Sequence, residues 1–191
     1  MIDLIEADAI APQPWRNGGG RTRELLAWPR REDWHVRVSL ADIEADGPFS
    51  AFPGVRRWFA VIEGAGVVLD FAGREQRMTP RDSPLQFDGA AAPGCRLIDG
   101  PTRDLNLMLR DNAHGVMQAV THGKPWSPAE QPGAFFAAVA GNLQVGDTLH
   151  RLPARGLLCF DQPLAATLAF HADAPAAGPV APVGYHLSYS A

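Results

Sequence analysis

Cysteine is nearly absent: Cys95 and Cys159 are the only two in 191 residues, far apart and flanked by apolar neighbours. A disulfide scaffold is therefore not what holds this chain. Both read as buried thiols of a reduced compartment, with a disulfide or a nucleophile as the lesser readings. Long apolar runs are missing too. No stretch approaches the roughly 20 residues that span a bilayer, and Met1-Ile2-Asp3-Leu4-Ile5-Glu6 lacks the basic-then-apolar order of a signal peptide. A cytoplasmic protein with no membrane partner is expected. Charge of one sign is never concentrated: 21 acidic and 17 basic residues leave a net charge of −4. Without a basic patch, a nucleic-acid partner is not expected. The composition, 46% hydrophobic and 20% charged, is that of a globular chain able to fold without staples.

No long segment has helical period, and little helix is expected. Period-two alternation is present instead. Trp34, Val36, Val38 and Leu40 alternate with His35, Arg37 and Ser39; Leu105, Leu107 and Leu109 alternate with Asp104, Asn106, Met108 and Arg110. These segments read as half-buried strands. Further strands are expected over 25–28, 57–63, 66–71, 96–99, 135–139, 157–160, 166–171 and 185–189. With 19 glycines and 17 prolines between them, the pattern is an antiparallel sandwich or barrel.

Two stretches correspond weakly. Glu63-Gly64-Ala65-Gly66 turns into Val67-Val68-Leu69, with Met78 to Asp82 leading to Phe87. Val139-Ala140-Gly141-Asn142 turns into Leu143-Gln144-Val145, with Gly146 to Leu149 leading to Phe160. This suits a duplication into two barrels. The first is expected mostly within 1–112 and the second mostly within 133–191, with a connecting segment at about 113–132. The Ala/Pro/Gly-rich stretch Ala172 to Pro182 is expected as a mobile or extended loop.

The feature that stands out is Pro14-Trp15-Arg16-Asn17-Gly18-Gly19-Gly20, followed by Thr22-Arg23-Glu24. Ordering three glycines costs much backbone entropy, so close backbone approach or positive φ is expected there. A wide turn between strands is the plain alternative. A phosphate loop fits poorly, because no Gly-Lys-Ser/Thr follows to open a helix.

These residues, with Val36-Arg37-Val38-Ser39-Leu40-Ala41, Asp46-Gly47-Pro48-Phe49-Ser50-Ala51-Phe52-Pro53-Gly54 and Arg57, and Asp104-Leu105-Asn106-Leu107-Met108, resemble the ordered signatures of the HutD/Ves family. The four motifs cover about the first 110 residues; the rest matches only in its general β pattern. The resemblance implies an all-β, cupin-like bicupin, two stacked antiparallel β-barrels in one compact chain, 1–191. It also implies a bacterial cytoplasmic protein associated with histidine utilization, which binds a small acidic pathway intermediate such as N-formylglutamate or urocanate without transforming it. Ves members are linked loosely to stress response. Two positions depart from the family: Arg56 stands where an acidic residue is usual, and Arg16 replaces a lysine, keeping the charge but changing donor geometry.

Many cupin enzymes hold a metal with a His-X-His pair, a Glu and a later His. Here His35, His114, His122, His150, His171 and His186 are single and scattered, so neither a metal nor another cofactor is expected. Ser39 and Ser50 lack a Gly-X-Ser-X-Gly elbow, and no catalytic residue is assigned. Glu24 and Asp46 read as a solvated strand residue and a turn residue.

Anion binding is the positive expectation. A guanidinium inside a barrel must meet a carboxylate or several acceptors, although Arg37 and Arg57 can equally face water on an outer surface. The family signature Phe-Pro-Gly-X-X-Arg favours Arg57. Around it, Asn17, the Gly18, Gly19 and Gly20 backbone, Asn106, Arg37 and Ser39 supply donors, and Trp15 and Phe49 supply walls, although aromatic core filling accounts for these two as well. The expected function is a non-enzymatic small-carboxylate-binding protein that modulates histidine breakdown. The alternative is a cupin-type enzyme, metal-dependent or a metal-free isomerase or hydrolase, acting on a small organic acid. A hydrophobic edge strand would allow a homodimer.

Overall fold

The computed structural model describes residues 2–128, 130–174 and 181–190. Residues 175–180, most of the Ala/Pro/Gly-rich stretch, lie outside the described residues. Helix among them is confined to three-residue 3-10 turns at Ala7–Ala9, Arg31–Asp33 and Gly89–Ala91. The rest of the regular structure is strand. No helix is long and apolar enough to cross a membrane.

The chain opens with β1 (Ile2–Glu6). Then follow β2 (Gln13–Pro14), β3 (Gly20–Trp28), β4 (Val36–Ile43), β5 (Gly47–Pro48), β6 (Val55–Glu63), β7 (Val67–Phe71), β8 (Arg74–Met78), β9 (Leu85–Asp88), β10 (Gly94–Leu97) and β11 (Thr102–Arg110). The last group is β12 (His114–Val120), β13 (Gly133–Ala137), β14 (Gly141–Val145), β15 (Thr148–Leu152), β16 (Gly156–Phe160), β17 (Leu168–Ala172) and β18 (Gly184–Ser190). All ten longer strands expected from alternation are present.

The contacts divide the chain into two units. In that of Ile10–Ala113, β2-β3-β4-β11-β6-β9 form a six-stranded antiparallel sheet and β5-β10-β7-β8 a four-stranded one. Their facing sides share one apolar core of Ile43, Phe49, Phe59, Val61, Val67, Leu69, Met78 and Cys95. Large side chains buried in such a core each contribute about 1.5–3 kcal/mol. Besides these apolar side chains, β4, β6 and β11 bury polar ones: Ser39, Arg57, Asp104 and Asn106.

In the other unit β1-β16-β13-β18-β12 form a five-stranded sheet and β15-β14-β17 a three-stranded one. Phe135, Leu143, Leu152, Leu158, Phe160, Leu168 and Phe170 are central to its core. Two boundaries differ from expectation. The N-terminal strand pairs with β16, Ile2 opposite Phe160 and Glu6 opposite Gly156, so residues 2–9 join the second group of strands. The stretch 114–120, expected as connector, is β12, paired with β18.

The internal correspondence survives with a shifted register. β7-β8 and β14-β15 are hairpins with the same alternation of buried and exposed positions. Val67 faces Met78 in one, and Gly141 faces Leu152 in the other. The turn at Gly146-Asp147 thus matches Ala72-Gly73, not Thr79 to Asp82. In the latter, Asp82 Oδ2 accepts from the Thr79 amide at 2.7 Å and closes a separate turn.

Candidate functional site

The central strands β4 and β11 are buried on both faces rather than one. Val36, Val38 and Leu40 on β4, and Leu105, Leu107 and Leu109 on β11, are 0–2% exposed. The polar face, for which both a barrel interior and an outer surface stood open, lines a cavity of about 600 Å³ inside the unit of Ile10–Ala113. Strand register sets the rows. Met108 lies between Arg37 and Arg57, Asn106 between Ser39 and Phe59, and Asp104 between Ala41 and Val61.

Arg57 is the centre of this wall, 7% exposed. Its guanidinium carbon sits 5.1 Å from the Phe49 ring centroid, 5.1 Å from that of Phe87 and 5.8 Å from that of Phe52, a cation-π enclosure. Arg57 Nη2 donates to Asn106 Oδ1 at 2.7 Å, and Asn106 Nδ2 donates in turn to Asp104 Oδ1. At the two ends of this relay, Arg57 Nε and Asp104 Oδ2 have no hydrogen-bond partner. Buried polar groups are rarely left so, because each costs about 1–3 kcal/mol.

Burial lowers the Arg57 pKa, which Asp104 opposes and Arg37 reinforces, to about 10. Burial likewise pushes Asp104 up, against Arg57 and Asn106, to about 7. The pair is thus a cation beside a carboxyl whose acid form burial favours, joined through Asn106 rather than by a direct salt bridge. Arg37 differs. Its Nε donates to Glu24 Oε2 at 2.7 Å and its Nη1 approaches Met108 Sδ at 3.8 Å, so its charge is already met. Glu24 also accepts from Arg31 at 2.6 Å and is no solvated residue. Asp46 is a turn residue as expected, its Oδ1 accepting from the Leu97 amide at 2.8 Å.

The loops complete the walls. Trp15 Nε1 donates to Thr22 Oγ1 at 2.8 Å, and both line the cavity with Asn17 and the exposed Arg16. On the other side, the Phe49 amide bonds Pro93 O at 3.0 Å and that of Phe52 bonds Gly89 O at 2.8 Å, fixing both rings over Arg57.

Of the residues expected at a site, Arg57, Arg37, Ser39, Asn106, Asn17, Trp15 and Phe49 line this one cavity. Gly18, Gly19 and Gly20 do not. Their role is local. Gly18 has φ +71°, Asn17 Oδ1 accepts from the Gly19 amide at 3.1 Å, and a Cβ on Gly20 would strike Asp42 O and stand 3.2 Å from the Trp15 ring. The triplet thus seats Trp15 against β4. Asp104 and Met108 were missed, yet the alternation that places Asn106 in the wall places both beside it. Phe52 opens the Phe-Pro-Gly-X-X-Arg signature but was not assigned to the site, and Phe87 carries no local signal.

Cys95 lies in the core and burial raises its pKa to about 12, as it does for Cys159, so both thiols stay protonated. Among the described residues no three His, Cys, Asp or Glu side chains gather to hold a metal ion. His35 pairs with Asp111 at 3.2 Å, His122 Nδ1 accepts from the Ala172 amide at 3.0 Å, and His186 is buried in the other unit.

The family model HutD matches residues 7–177. Protein Ves of Citrobacter koseri is 34% identical over 137 residues, 71% of either chain. An uncharacterized 21.2 kDa protein of Pseudomonas putida, described as lying in the hutC 3' region, is 36% identical over 111 residues, 56% of this chain and 58% of its own. Among solved structures, HutD from Pseudomonas fluorescens SBW25, described as the formate condition, superposes with TM-score 0.81 at 26% identity, covering 100% of this chain and 98% of that one. A bacterial pirin from Escherichia coli, solved with nickel(II), has TM-score 0.61 at 12% identity over 99% and 98% of the two chains, a likeness of cupin-like fold alone.

Proposed function

The chain belongs to the HutD family, which is linked to the histidine-utilization region, and we propose that its cavity binds a small carboxylate. The observation that carries this reading is Arg57: a buried guanidinium on the cavity wall, walled by three phenylalanines and anchored by a neutral amide, whose buried Nε has no partner. A carboxylate supplies the missing acceptor and the opposite charge. The cavity of about 600 Å³ suits a small organic acid. Within the family's setting the ligand is an acidic intermediate of histidine breakdown, N-formylglutamate or urocanate, and the protein acts on the pathway by sequestering or sensing it.

The test is thermal unfolding with urocanate, N-formylglutamate, formiminoglutamate, glutamate and formate. A ligand at about 100 times its Kd adds about 2.7 kcal/mol, raising the midpoint by about 5–10 °C for a chain of this size. A selective, saturable shift that is lost in a folded Arg57→Ala variant supports the assignment; full affinity in that variant overturns it.

A second reading rests on Asp104. A carboxyl titrating near neutrality beside a cation is placed for acid-base work on a bound acid, as in a metal-free isomerase or hydrolase. Chemical change of the bound acid over hours, absent in Asp104→Asn, would favour it.

A further inference from the structure

The relay across the cavity wall has a direction. Asn106 uses its carbonyl oxygen to accept from Arg57 and its amide nitrogen to donate to Asp104 Oδ1. Asp104 Oδ1 is therefore an acceptor, and any proton on this carboxyl sits on Oδ2, the oxygen without a partner. With that proton in place, both unpaired ends of the relay, Arg57 Nε and Asp104 Oδ2, are donors. Without it, a bound carboxylate would meet a second buried carboxylate.

We propose that Asp104 serves the site as a neutral acid, donating from Oδ2 to the bound carboxylate, so that ligand and proton are taken up together. This deepens the carboxylate reading and rests on it.

The groups facing Asp104 agree. Arg57 on β6 stabilises its anion, while burial and Asp42 on β4 oppose it, leaving the acid near 7 before any ligand enters. Cys95 on β10, raised to about 12, stays neutral beside it. Arg37 on β4 is engaged by Glu24 on β3. An arriving carboxylate adds one more negative charge and moves Asp104 further toward its acid form.

The ligand class narrows as a result. Among the described residues Asp104 is the one acidic residue on the cavity wall, and once neutral it leaves Arg16, Arg37 and Arg57 as the charged groups there. Among the described residues of the wall no anionic group is then left to pair with an ammonium, which meets three guanidinium groups there instead. The acids that fit are deaminated or N-acylated, not free α-amino acids.

Calorimetric titration of the full chain with N-formylglutamate and with formate, between about pH 6 and 9 in buffers of different ionisation heat, tests both points. Neither probe titrates in this range. Proton uptake is expected to rise from near zero at about pH 6 toward one per ligand at about pH 9, with affinity falling about tenfold per pH unit above the Asp104 titration. Asp104→Asn, whose amide nitrogen donates permanently, should bind with affinity flat in pH. Free glutamate should bind at least tenfold more weakly than N-formylglutamate. Binding without proton uptake and independent of pH overturns the proton coupling alone, as does loss of binding in a folded Asp104→Asn. Equal affinity for glutamate overturns the ligand class. No binding of either probe at any pH overturns the carboxylate reading and the coupling with it. Should Asp104→Asn not fold, proton uptake by the unmodified chain decides.

Discussion

Arg57 hangs on Asn106 by one hydrogen bond of 2.7 Å, and the same amide holds Asp104. One side chain thus orients both Arg57 and Asp104, although it carries no charge itself. Asn106→Ala frees the guanidinium and strips Asp104 Oδ1 of its donor. A loss of about 2–3 kcal/mol in urea unfolding is expected, together with at least tenfold weaker carboxylate binding. Asn106→Asp would instead place a carboxylate beside Arg57 and abolish anion binding outright.

The two buried aspartates of this unit should give stability profiles of opposite slope. An unfolded aspartate titrates near 3.8, whereas burial holds folded Asp104 at about 7. Between those values the folded chain keeps a proton that the unfolded chain has lost. The Asp104 contribution is therefore fully present below about pH 4 and declines as pH rises toward 7, by on the order of 4 kcal/mol. Denaturant unfolding across pH 4–8 should show this decline relative to Asp104→Asn.

Asp42 behaves the other way. Burial pushes it up, but hydrogen bonds from Arg103, Arg23 and Arg21 overcome that and hold it at about 2. Arg21 Nε and Arg23 Nη1 lie 3.0 and 2.8 Å from Oδ2, and Arg103 Nε lies 2.5 Å from Oδ1. Its contribution is present above about pH 4 and is lost as pH falls through 2, about 2 kcal/mol in all. Asp42→Asn should cost that much at neutral pH and flatten the acid limb.

The glycine triplet should respond in graded fashion. Gly20→Ala drives a Cβ into Asp42 O and the Trp15 ring, costing about 3 kcal/mol or more. Gly18→Ala has open space but φ +71°, costing about 1 kcal/mol. Gly19→Ala meets nothing nearer than Asn17 Oδ1 at 3.5 Å and should stay within about 0.5 kcal/mol. Equal sensitivity at all three in urea titrations would contradict the structural role given to the triplet.

How much was legible follows from the range of each signal. The alternation over β4 and β11 was plain, and so were the apolar strands β6, β13 and β16, because a two-residue period is local. The hairpin partners β8 and β15 escaped because Arg74-Glu75-Gln76-Arg77 and Thr148-Leu149-His150-Arg151 bury little besides Met78 and Leu152. β1 escaped because its partner β16 lies about 150 residues away, and nothing in Ile2–Glu6 names it.

The sequence by itself determined the class of fold, the family, and which residues share a strand face: Arg37 with Ser39, and Asp104 with Asn106 and Met108. It could not decide which face is inside, since alternation is the same pattern whether the polar side meets water or a cavity. Only the tertiary structure decided that, by pairing β4, β11 and β6 in a register that aligns Met108 with both arginines and closing Phe49, Phe52 and Phe87 over Arg57. Burial within the same unit pushes the carboxyl of Asp104, an ordinary strand aspartate in the sequence, up to about 7.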